Sequence, residues 1–332
     1  MVLVSSRLYL LVFALGLFPT ALCADNFATK NMRLSFDSSV RMNYDFKSKH
    51  NDGLYVFGLD LHKVFSKDNG DIGTLVFQPY LTRLDDVVNP SFFFDNGNDR
   101  ELIWRIANFN YKVLNNGKFN FRVGHFEVPF GLEQNIDTNG TLRQYTFADR
   151  GIKADWGLSV NGATRSADYE IALTRGAGNT LEDTDNPYIF SGRVGFPSHR
   201  NFILGGSWFY GRVLAGEETV RRKKLGVDLA YYHRHFEWLF ELSAGKNDLN
   251  NTVSTLAEMS YRDASEHFHG YIQFRHQGIK SGGWESEQVW TLGGSWQPSN
   301  HWGVSMQYAR QVNSIAEKAP VKRLTAQVRY RF

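Results

Sequence analysis

The last ten residues, Arg323–Phe332, constrain what this chain can fold into more than any other segment. Side chains alternate along an extended strand. Leu324, Ala326, Val328, Tyr330 and Phe332 therefore fall on one side, and Arg323, Thr325, Gln327, Arg329 and Arg331 on the other. A soluble strand seldom carries three arginines on one face and stops on an aromatic. A strand with lipid outside and a wet lumen inside needs this division.

The other end agrees. Arg7 precedes the apolar run Leu8–Phe18, then Pro19 and the short segment Thr20–Ala24. That is the pattern of a secretory signal peptide over residues 1–24, followed by one exported domain over 25–332. A membrane-spanning helix needs about 20 apolar residues, more than this run supplies. Lipidation at Cys23 is the alternative, although Leu22 stands where a small residue is wanted. Cleavage near Cys23 or Ala24 leaves a mature chain with at most one cysteine, so disulfides hold nothing together.

From Asn31 onward the period-two signal repeats. Met32, Leu34, Phe36, Val40, Met42, Tyr44 and Phe46 occupy seven of eight alternate positions, Ser38 being the miss. Leu225–Tyr231, Phe236–Leu242 and Trp302–Tyr308 alternate in the same way. Segmenting on this signal predicts sixteen strands, the first near 31–46 and the last near 321–332. Short connections such as Ser166-Ala167 and His233-Arg234-His235 separate longer ones at 85–100, 130–153, 177–186, 214–221, 280–285 and 314–320. The expected fold is all-β: a transmembrane antiparallel barrel of about sixteen strands with both termini at one end. The 26 Phe, 15 Tyr and 8 Trp suit its interfacial girdles. Mean hydropathy is negative, as it is for strands whose inner half faces water. A formal net charge of +3, or +2 without Arg7, is too weak a bias for nucleic-acid binding.

The longest connection contains the most distinctive residues. The chain runs Phe121-Arg122-Val123-Gly124-His125-Phe126-Glu127-Val128-Pro129-Phe130-Gly131-Leu132-Glu133 and returns through Gln144–Ile152. Pro129 ends strand pairing and Gly131 permits a sharp change of direction. The segment resembles the strand and third loop of the phosphate-selective porin O/P family of bacterial outer-membrane porins. Leu225-Gly226-Val227-Asp228, with Glu241 in the next strand, resembles that family's later hairpin. The resemblance implies a third loop that folds into the lumen, passive diffusion of small hydrophilic solutes, anions such as phosphate among them, and a homotrimer. The terminal Phe332 resembles the C-terminal signature by which bacterial outer-membrane barrels are handed to their insertion machinery, which implies delivery into the lipid bilayer of the outer membrane. An external flap is the alternative for the loop. The family's phosphate-selective members carry a run of arginines and lysines at the constriction, whereas here no lysine lies between Lys118 and Lys153.

With the apolar face of each strand turned to lipid, the lumen receives Arg33, Arg41, Arg122, Arg193, Arg275, Arg323 and Arg329, together with Arg262 and Arg331. It also receives Asp37, Asp45, Asp60, Glu170, Asp228, Glu237, Glu241 and Glu258. The expected constriction residues are Arg122, Arg150, Arg143, Glu133 and Asp149. For each lumen arginine, pairing with a carboxylate is the ordinary alternative to touching a permeant ion. His233-x-His235 and His267-x-His269 lack the further ligands a metal site needs, so neither metal nor cofactor is expected. No serine and histidine stand in the arrangement a hydrolase uses, so an enzyme is not expected. A barrel hydrolase and a plugged structural or adhesive barrel remain the alternatives.

Overall fold

The computed structural model describes residues 31–68, 70–85, 100–114, 116–134, 140–145, 150–181, 184–315 and 321–332. The predicted signal peptide over 1–24 lies outside them. The strands are β1 (Met32–Asp45), β2 (His50–Lys67), β3 (Gly70–Asp85), β4 (Arg100–Lys112), β5 (Asn120–Glu127), β6 (Ala154–Ala163), β7 (Asp168–Thr174) and β8 (Tyr188–Gly195). They continue as β9 (Phe202–Ala215), β10 (Glu218–His233), β11 (Phe236–Asn247), β12 (Asn250–Arg262), β13 (Phe268–Ser281), β14 (Gly283–Trp296), β15 (Trp302–Asn313) and β16 (Lys322–Arg331). Each pairs antiparallel with its neighbours, and β1 pairs with β16, so the sheet closes into a sixteen-strand barrel without a free edge.

Closure fixes which face is wet. On β10, Arg221, Lys223, Leu225, Val227 and Tyr231 are exposed on the outside, while Arg222, Lys224, Asp228 and Ala230 are buried within. Leu225 is 70% exposed, Leu292 65% and Met306 55%, as a face sheathed by lipid requires. The seam shows the same split. Phe36 and Phe332 stack at 5.1 Å on the outside, while Asp37 and Arg331 are register partners.

The alternation of short and long connections is less regular than composition suggests. Strands β9 and β10 meet at 216–217, and β13 and β14 at Gly282, where the expected loops were 214–221 and 280–285. The ladder continues through these polar residues because Gly216 (φ 74°) and Gly282 (φ 87°) allow tight turns. Asp45, assigned by parity to the lumen, instead accepts the main-chain N–H groups of Lys47 and Ser48 and shapes the turn beyond β1.

Candidate functional site: a loop seated in the lumen

Strand β5 ends at Glu127, and the ladder makes one further bond, from Val128 N–H to Lys153 C=O, before Pro129 stops it. Gly131 then turns the chain inward (φ 66°) and opens a short 3-10 turn, Gly131–Gln134. A side chain on Gly131 would run into the Glu241 carboxylate on the wall. Its own N–H donates to Ser207 Oγ at 3.0 Å, and the Leu132 N–H donates to Glu241 Oε2 at 2.9 Å.

The seat is apolar. Leu132 and Tyr145 pack on Ile203, Ala230, Leu239 and Leu256, which are inward-facing residues of β9 to β12. Val128, Phe130 and Ile152 pack on Ile189, Phe209 and Val213. Removing this surface from water is the main force holding the loop inside.

Ion pairs then fix its register. Arg150 is 3% exposed, binds Glu241 at 2.7 Å and lies 4.8 Å from the Phe130 ring centre. Arg143 bonds Glu237 at 2.9 Å and also Glu258, whose Oε1 accepts from Tyr145 OH at 3.1 Å. Glu133 is 6% exposed, 3.5 Å from Lys153 and 3.9 Å from Arg150. Burial pushes its pKa up to about 7, against the opposing pull of Lys153 and Arg150. Further along, the Gly140 carbonyl accepts from Gln327 at 2.7 Å, and the Thr141 carbonyl from Arg41 at 3.3 Å. The loop rooted between β5 and β6 thus touches β9–β12 and also β1 and β16, and so bridges the lumen.

The predicted site residues separate into two groups. Arg150, Arg143 and Glu133 are spent on seating the loop, while Arg122 is bound by Glu170 at 2.9 Å, Arg193 by Asp228 at 2.5 Å and Arg329 by Asp37 at 2.8 Å. Arg41, Arg275 and Arg323 form the second group. Among the described residues none of these three has a carboxylate at ion-pair distance; Arg41 donates instead to Gln327 at 2.9 Å. The side-chain Nε atoms of Arg275 and Arg323 are buried without an acceptor. Arg33 is exposed near the terminal end of β1, and Asp149 lies outside the described residues. Below the loop tip, a cavity of about 220 Å³ is lined by Thr141, Arg262, His269, Tyr271, Ser295 and Ser305, among others.

Sequence reasoning missed Lys153, Glu127 and Arg105, which form a chain of charge with Glu133, buried at Glu133 and Lys153 and half-buried at Glu127 and Arg105. It also missed the apolar seat. The signal was present: Ile203, Phe209, Val213, Leu239 and Leu256 are apolar at inward positions, where a bare water-filled wall carries polar residues.

No family model matches the chain, and no curated protein does. Solved structures do. The anion-selective porin from Comamonas acidovorans is 13% identical and superposes with a TM-score of 0.66 over 91% of this chain and 99% of that one. Salmonella typhi OmpF, solved in complex with daunomycin, gives 0.67 at 10% identity over 91% and 97%. The outer membrane channel DcaP of Acinetobacter baumannii gives 0.64 at 9% identity, again over 91% and 97%. What these proteins share with this chain is the closed barrel fold.

Proposed function

We propose that the protein is an outer-membrane porin, a water-filled channel through which small hydrophilic solutes diffuse, with anions favoured. The observation that carries this reading is the uneven pairing of the lumen charges. The wall carboxylates Glu237, Glu241 and Glu258 are held by loop arginines and Glu170 and Asp228 by wall arginines, whereas among the described residues Arg41, Arg275 and Arg323 have no carboxylate at ion-pair distance. A surplus of one sign beside a constriction is how a wide pore discriminates between ions. Assembly as a homotrimer and delivery by the insertion machinery through the C-terminal strand belong to the same reading.

Conductance of the purified protein in a planar bilayer tests it. A chloride gradient should give a reversal potential of anion-selective sign, and phosphate and larger anions can be compared in the same membrane. Arg41→Gln with Arg275→Gln should move that potential toward zero, whereas Arg122→Ala, which removes a paired charge, should move it less. A cation-selective potential would overturn the anion assignment. Lipid hydrolysis without conductance would overturn the channel in favour of a barrel hydrolase, and absence of both would favour a plugged barrel.

A further inference from the structure

On its outer surface the barrel brings like charges together. At four places two basic side chains stand directly opposite one another on adjacent strands: Arg83 and Arg100, Arg212 and Arg221, Lys223 and Lys246, Arg310 and Lys322. These are the only directly opposed Lys or Arg pairs among the described registers. By strand parity all of them face outward. All lie at the barrel end that carries the seated loop, beside the connections 86–99, 216–217, 248–249 and 314–321.

Like charges directly opposite on a sheet face destabilise it. Inside the lumen the chain resolves the same conflict itself. Asp228 stands opposite Glu241, and each receives an arginine, Arg193 at 2.5 Å and Arg150 at 2.7 Å. Outside, Arg212 has Asp185 at 2.6 Å, and among the described residues the other members of the four pairs have no carboxylate at ion-pair distance. The nearby Asp248 carboxylate accepts the main-chain N–H of Arg221 at 2.9 Å. The described residues thus leave seven of these eight cations open to an anion from outside the chain.

Height on the barrel identifies its source. Lys223 Nζ lies 5.2 Å from the centre of the outward Tyr210 ring, and the Arg83 guanidinium 5.9 Å from Tyr55. Arg310 is the register partner of Trp290. Outward aromatics mark the level where hydrocarbon gives way to headgroups, so cations beside them stand at phosphate height. Opposed side chains are about 5 Å apart at Cβ, close enough for two cations to share one phosphate. We infer that this rim binds the phosphate groups of a phosphorylated lipid in the leaflet on the loop side. The inference rests on the barrel spanning a membrane, as proposed above.

The test uses the full chain in uncharged maltoside micelles, with binding read by native mass spectrometry. The probes are a diphosphorylated glucosamine lipid and the same lipid stripped of its phosphates. Wild type should retain the phosphorylated form and not the stripped one. Lys223→Gln with Lys246→Gln, and separately Arg310→Gln with Lys322→Gln, should each weaken retention about tenfold. Melting supplies a second readout with an inversion of sign. Without the lipid the combined variant should melt above wild type, because repulsion has been removed; with it, only wild type should gain. Equal retention of the two lipid forms, or retention unchanged in the variants, would overturn the inference. Channel formation by the same variants in bilayers is scored separately, so failure of the porin reading and failure of the rim remain distinguishable.

Discussion

Glu133 shows what the seated loop costs and how it is held. Its carboxylate is buried, yet Lys153 at 3.5 Å and Arg150 at 3.9 Å both stand beyond a short hydrogen bond. Desolvation wins, and the pKa rises from 4.5 to about 7. The sign follows from linkage: a carboxyl raised in the folded state contributes stability that is complete below about pH 4.5 and is lost as pH rises through about 7. A shift of that size corresponds to about 3 kcal/mol at most. Hydrogen exchange at the Leu132 amide, corrected for intrinsic rate, should therefore show protection that falls over this window. Glu133→Gln should flatten that dependence; an unchanged profile would show that Glu133 is not the titrating group. Sequence pattern located Glu133, Arg143 and Arg150 in one loop. It could not show that the two arginines serve the wall rather than the water, because partners more than ninety residues away are set by the closed sheet.

At the scale of the element, the loop is a strut clamped along its length. Pro129 and Gly131 announced the turn in the sequence, since a missing donor and a positive φ act locally. The seat was harder to see because its residues are spread over five strands, β8 to β12, and interrupt the polar phase of most of them at a single position. Gly131 is the sensitive point: φ is 66° and any Cβ meets the Glu241 carboxylate. Gly131→Val should unseat the loop while leaving the barrel closed. Single-channel conductance should rise, and heat-modifiable mobility on gels should persist. Loss of the folded band would instead show that the strut is needed for closure. Gly140 (φ 69°), where an added Cβ would meet the Arg329 guanidinium, offers an independent version of the experiment.

For the whole molecule the decisive step is the pairing of β1 with β16, which joins residues nearly three hundred positions apart, such as Asp37 and Arg331. Such long-range pairing is slow and must be rewarded by what forms at the seam. The alternation of the final strand made its outer and inner faces legible from sequence, but not the partners of its arginines. Arg329 binds Asp37 at 2.8 Å on β1, and Arg331 binds Asp60 on β2. Tyr80 OH on β3 lies 3.2 Å from Asp37 and 3.1 Å from Asp60, so one buried network ties the last strand to the first three. Removing one member of a buried pair strands the other charge. Asp37→Asn should therefore cost about 3 kcal/mol in urea unfolding from lipid vesicles. Tyr80→Phe should cost about 1 kcal/mol, the worth of one hydrogen bond. Asp37→Asn combined with Arg329→Gln should recover part of the first loss, because neither charge is then left alone. Strict additivity of the two substitutions would show that the seam is held by its backbone ladder and outer aromatics, with the arginines serving only the lumen.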